Sequence, residues 1–119
     1  MPIARKPQLV CPAGSLRALQ MAVDAGADAV YLGLKDATNA RNFAGLNLDD
    51  AQVREGVRYA HTRGREVLMA LNTFANARDD TPWRRAVDGA SELGADALIV
   101  ADTAVMAYAR EHQPSLRLH

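Results

Sequence analysis

Apolar positions along this chain follow two rhythms that alternate from one end to the other. Segments with apolar residues three and four apart predict amphipathic helices, and short unbroken apolar runs between them predict buried strands. The clearest junction is Gly26-Ala27-Asp28-Ala29-Val30-Tyr31-Leu32-Gly33-Leu34-Lys35, where a glycine suited to a helix C-terminus leads into an apolar run. That run does not alternate, which suits a strand covered on both faces, as in a parallel sheet flanked by helices. Gly94-Ala95-Asp96-Ala97-Leu98-Ile99-Val100 repeats the junction, and Gly64-Arg65-Glu66-Val67-Leu68-Met69 is a looser version. The three glycines stand 38 and 30 residues apart, about the span of one strand, one helix and two loops. The repeat predicts successive βα units.

Taken in order, Met1 to Pro7 reads as a lead-in and Gln8 to Cys11 as a first strand ended by Pro12. Ser15 caps a helix whose apolar face is Leu16, Leu19, Ala22 and Val23. The second strand opens into a polar loop from Lys35 to Leu48, and Asp49 with Gln52 forms a capping box for the next helix. Val53, Val57, Ala60 and His61 are its expected inner face. The third strand spans Glu66 to Leu71, and Thr81-Pro82 reads as an N-cap with proline at the first helical position. Ala86, Val87, Ala90 and Leu93 form the buried face of that helix. Asp102 or Thr103 caps a last helix to about His112, and Ser115 to His119 begins another strand.

About four βα units fit two architectures. A closed (β/α)8 barrel takes about 250 residues, so 119 residues would supply a little under half of one. An open doubly wound sheet is the alternative. The expected fold is α/β: the N-terminal part of a TIM-like barrel over residues 8–119, with parallel strands inside and helices outside. Its first and fourth strands would then have unpaired edges.

Composition narrows the function classes. Fourteen basic and fourteen acidic residues cancel, so no overall field favours nucleic acid. Cys11 is the only cysteine, which excludes an intrachain disulfide and a metal site built on thiolates from this segment. No apolar run reaches the ~20 residues of a membrane helix. The single cysteine makes a reducing cytoplasm the expected setting, and Gln8 to Cys11 is too short an apolar core for a signal peptide.

Candidate chemistry gathers where the strands end, the face on which parallel βα folds bind ligands. Lys35, with Asn39 and Arg41 in the loop that follows, could hold an anionic substrate. Asn72 ends the third strand and could orient a carbonyl or hydroxyl. Asp102 ends the fourth and serves equally as a substrate contact or as the next helix's N-cap. Tyr31, in mid-strand, reads as barrel filling, and His61 and His112 as cations near helix C-termini. Cys11 reads as a small hydrophobe, Trp83 as a packing residue, and Arg54, Arg58, Arg84 and Arg85 as a solvated outer face. No catalytic residue or metal ligand is assigned, and Pro12-Ala13-Gly14-Ser15 is neither a dinucleotide fingerprint nor a P-loop.

Three stretches in series resemble the collagenase-like peptidases, the peptidase U-thirty-two group. They are Leu9-Val10-Cys11-Pro12-Ala13-Gly14, then Ala25 to Gly33, then Thr38-Asn39-Ala40-Arg41-Asn42-Phe43-Ala44-Gly45. Asn72-Thr73-Phe74-Ala75 and Leu93 to Ile99 support the match. Within the group the wording is nearest to the members acting in ubiquinone biosynthesis. The resemblance implies a TIM-like barrel and oxygen-independent hydroxylation of the aromatic ring of a ubiquinone precursor, with prephenate as oxygen donor. It also implies a heterodimer with a paralogous subunit, UbiV, and a [4Fe-4S] cluster held by four cysteines further along the complete protein. This segment would then precede the cluster-binding region, bind no cluster itself and be inactive alone. Hydroxylation of RNA bases by related members, a peptidase and a non-catalytic half-barrel are the competing readings. A peptidase has the least support, because no Ser–His or Cys–His pair can be assembled at these strand ends.

Overall fold

A computed structural model describes residues 6–34, 48–73, 78 and 80–119. The elements run β1 (Val10–Pro12), α1 (Leu16–Asp24), β2 (Ala29–Leu32), α2 (Asp50–Thr62), β3 (Glu66–Leu71), α3 (Thr81–Glu92), β4 (Ala97–Val100), α4 (Thr103–His112) and β5 (Arg117–Leu118). All five strands are parallel and lie in the order β1-β2-β3-β4-β5. A doubly wound sheet reverses its strand order at a switch point. This sheet does not reverse, so right-handed connections carry all four helices to one side. The fold is part of a TIM-like barrel.

The helices begin and end where local chemistry directs. The Ser15 side chain accepts a hydrogen bond from the Ala18 amide (3.1 Å). Asp49 and Gln52 form the full capping box, at 2.9 and 3.0 Å. Removing that cap with Asp49→Ala is expected to destabilise the protein by about 1 kcal/mol in urea unfolding. An unchanged midpoint would show that α2 is held by packing alone. Gly26, Gly64 and Gly94 have φ of 105°, 70° and 89°, the left-handed conformation at which a side chain is penalised. Beyond each glycine the next amide reaches back five residues, as Ala27 does to the Ala22 carbonyl at 2.9 Å. These are Schellman closures.

The glycine-Ala-Asp-Ala repeat has a second role. The Asp28 amide donates to the Leu9 carbonyl (2.8 Å) while its Oδ2 accepts from the Leu9 amide (2.8 Å). Asp96 does the same with Val67, at 2.8 Å through the backbone and 2.7 Å through Oδ2. Each aspartate thus fastens the start of its own strand to the preceding one and fixes the parallel register. Each also takes a neighbouring nitrogen, Arg65 Nη1 at 3.0 Å for Asp28 and His61 Nε2 at 2.8 Å for Asp96. Glu66 holds the same place in the looser third version. Its longer side chain reaches instead to Arg117 on β5, whose guanidinium pKa is raised by that hydrogen bond and charge.

The sheet separates two apolar layers. Val30, Leu32, Val67, Met69, Leu71 and Leu98 face the helices, in one cluster with Leu19, Val53, Val57, Val87 and Val105. The opposite, concave face carries a second cluster of Ala29, Leu68 and Ala97, with Tyr31 and Ile99 packed on it.

Four expectations need correction. Strand β1 begins at Val10 and includes Pro12, rather than spanning Gln8 to Cys11; an edge strand tolerates a proline because no outer ladder asks for its amide. The N-cap of α3 is Asp80, and Thr81 is already helical. His61 is exposed rather than inward-facing, since Gly56 takes the buried position and the imidazole turns to Asp96. Finally, β5 pairs with β4, so the edges are β1 and β5 rather than β1 and β4.

Candidate functional site

The parallel strands place their C-terminal ends together at one end of the sheet. Leu71 of β3 lies opposite Val100 of β4, so the half-buried Asn72 and Asp102 follow on adjacent strand ends. Asp102 is the N-cap of α4, its Oδ1 accepting from the Ala104 amide at 2.7 Å. That bond anchors its carboxylate at the rim of the strand-end face. The other three candidates, Lys35, Asn39 and Arg41, lie outside the described residues. Leu34, immediately before them, bridges in parallel to Leu48, so the chain leaves and re-enters this region beside the end of β2.

Beneath that rim runs the concave face. Register sets Pro12, Tyr31, Leu68, Ala97 and Arg117 in one row across the five strands. The next row toward the rim holds Ala70 opposite Ile99, with Gly33 one residue past the Leu32–Met69 pair. The Glu66–Arg117 ion pair lies at the far end, where the strands begin. Glu66 thus stands at the base of β3, while Arg117 shares the row of Tyr31, Leu68 and Ala97 at the β5 edge; the row above is apolar, with small side chains at Gly33 and Ala70.

The remaining polar clusters knit helices together. Tyr108 donates to Asp88 at 2.9 Å, meets Trp83 edge-on at 5.4 Å between centroids, and stacks against His112 at 4.2 Å. Its pKa is raised, first by the hydrogen bond to Asp88. Tyr59 donates to Asp24, which raises its pKa too, and lies under the Arg63 guanidinium at 3.4 Å. Arg84 pairs with Asp80 (2.7 Å), and Arg54, Arg58 and Arg85 are exposed, as expected of an outer face. A groove of about 330 Å³ between α2 and α3 is lined by Leu34, Asp50, Pro82, Arg85, Ala86, Gly89 and Leu93. It opens on the helical side, behind the sheet from the concave face.

An iron–sulfur cluster of the implied type needs four thiolates. Cys11 is the only thiol of the sequence, and it packs toward the helix-side core. The residues present do not fit a cluster, and no group of three or more metal-ligating side chains occurs among the described residues.

Strands in sequential order with all helices on one side and polar groups at the strand ends define a barrel-type α/β protein. The hydroxymethylglutaryl-CoA lyase of Pseudomonas aeruginosa, a TIM-barrel enzyme, superposes with a TM-score of 0.66 at 15% identity, over 98% of this chain and 45% of that one. That likeness shows the fold alone. Residues 14–119 match Peptidase family U32, and the chain belongs to that family. Among curated relatives, an uncharacterized protease of Methanocaldococcus jannaschii is 36% identical over 94% of this chain and 26% of its own length. The tRNA hydroxylation protein P of Escherichia coli is 32% identical over 96% of this chain and 25% of its own length. The chain thus spans about a quarter of the curated relatives it matches.

Proposed function

We propose that the complete protein is a component of an oxygen-independent ring hydroxylase acting on a ubiquinone precursor, in the manner of UbiU. The observation that carries this reading is the concave face: over β2–β4 it is floored by Ala29, Leu68, Ala70 and Ala97 with Tyr31 and Ile99 packed on it, and its ion pair stands at the start of β3 and the β5 edge. Such a face suits a small planar ring better than a polyanion, whose binding rests on Lys and Arg contacts to phosphates. The zero net charge of this segment agrees. In this reading Lys35, Asn39, Arg41, Asn72 and Asp102 line the substrate mouth and prephenate supplies the oxygen. UbiV is the paralogous partner, the [4Fe-4S] cluster sits on cysteines outside this chain, and the cytoplasm is the setting.

A second reading is hydroxylation of an RNA base, favoured by the name of the Escherichia coli relative. One experiment separates the two. The full-length protein, with its paralogue, is expressed without oxygen in strains lacking either ubiquinone-ring or tRNA hydroxylation. Restored ubiquinone in lipid extracts, with tRNA nucleosides unchanged by mass spectrometry, is the expected result. Restored tRNA hydroxylation with no ubiquinone gain would replace the first reading by the second.

A further inference from the structure

Tyr31 is the residue whose environment the filling role leaves unexplained. It is half-buried on the concave face, its ring packed on the cluster of Ala29, Leu68 and Ala97. Side chains stand roughly perpendicular to a sheet, so the phenol projects away from β2 on the side opposite the helices. No hydrogen bond to that oxygen is formed among the described residues, in contrast to Tyr59 and Tyr108, which both donate to aspartates. Tyrosine hydroxyls at sheltered positions usually find a partner. In the row nearer the rim, Gly33 offers no side chain and Ala70 only a methyl group, while Ile99 supplies an apolar wall. On the β2–β4 part of the face, Tyr31 is the single polar side chain between Asn72 at the rim and Glu66 at the base.

We propose that Tyr31 contacts the substrate: its O–H donates a hydrogen bond to a carbonyl or hydroxyl oxygen on a planar ring seated over Gly33 and Ala70. The inference rests on the ring-hydroxylation reading above and adds a residue and a ligand chemistry to it. An oxygen-substituted aromatic ring meets both demands of the site, an apolar slot beside Ile99 and an acceptor for one phenol proton. The oxygen's place at mid-face, below the rim, makes the ring enter edge-first with its substituent leading.

The test is Tyr31→Phe in the full-length protein, which removes one oxygen and keeps the ring that packs on Leu68. Hydroxylated product is measured in the same oxygen-free strains, alongside the thermal midpoint of the purified variant. The expected result is a product rate lowered about tenfold, the size of one lost hydrogen bond, with the midpoint unchanged. Wild-type product rates from Tyr31→Phe would overturn the inference while leaving the ring-hydroxylation reading intact. So would a loss of product matched by a fall in midpoint, since that marks a packing role. Wild-type protein that yields neither hydroxylated quinone nor hydroxylated RNA would overturn the reading itself, and the inference with it.

Discussion

Asp96→Ala is expected to destabilise the protein by about 3 kcal/mol, the combined effect of an orphaned backbone amide and a lost charge-assisted bond. The amide at stake belongs to Val67, which is fully buried and has Asp96 Oδ2 as its acceptor at 2.7 Å. With the carboxylate gone the amide loses a charged acceptor, and a water entering where that side chain was 29% exposed recovers only part of the bond. The second bond, from His61 at 2.8 Å, matters less because the imidazole is 41% exposed. His61→Ala is therefore expected to cost under about 1 kcal/mol, as exposed pairs do. Asp96→Asn keeps an oxygen facing the Val67 amide and should fall between the two. Urea unfolding of the three variants reads the order directly. If His61→Ala proves as damaging as Asp96→Ala, the clamp on Val67 is not what the aspartate contributes.

Leu19→Ala carries a comparable loss, about 3–4 kcal/mol, as expected for emptying a fully buried leucine site that neighbours only partly refill. Its surroundings allow a sharper test. Gly56 sits inside α2, where glycine costs about 1 kcal/mol relative to alanine, so its presence calls for a reason. A methyl group built on it would stand 2.8 Å from Leu19 Cδ1 and 3.5 Å from Leu16 Cδ1. The glycine is there because α1 lays Leu19 against the α2 backbone. Gly56→Ala alone sets a helix gain against an overpacked contact and is expected to be neutral to about 2 kcal/mol destabilising. In the Leu19→Ala background the clash is absent and the methyl fills part of the cavity, so the same change should become stabilising by about 1 kcal/mol. A double-mutant cycle measures that sign reversal. Additive effects would mean that Leu19 and Gly56 do not share the contact.

Much of this was written locally. Asp49 with Gln52, Ser15, and the three glycines act through atoms within a few residues of themselves, and hydrogen bonds of that range depend little on the rest of the chain. The buried face Ala86, Val87, Ala90 and Leu93, and strand Glu66–Leu71, were legible for the same reason: period and length are properties of the segment. His61 shows where that reasoning stops. Helical spacing places it beside Val57 and Ala60, but a hydrogen bond to Asp96, 35 residues away, holds it at the surface. Asp28 and Asp96 were visible as a repeat, yet their use as strand fasteners was not, since the amides they accept from lie 19 and 29 residues back.

What the sequence determined by itself is the succession of βα units, their caps and the face each helix buries, because these follow from short-range bonding and from apolar periodicity. Only the tertiary structure decided which strands are neighbours, that none reverses the order, and which side of each strand looks inward. Those outcomes depend on packing between residues distant in the chain, where many pairings satisfy the same local pattern. Tyr31 is the plainest case: an unbroken apolar run hides the alternation of faces, and only the register with Leu68 and Ala97 shows that this tyrosine packs on the side of the sheet away from the helices.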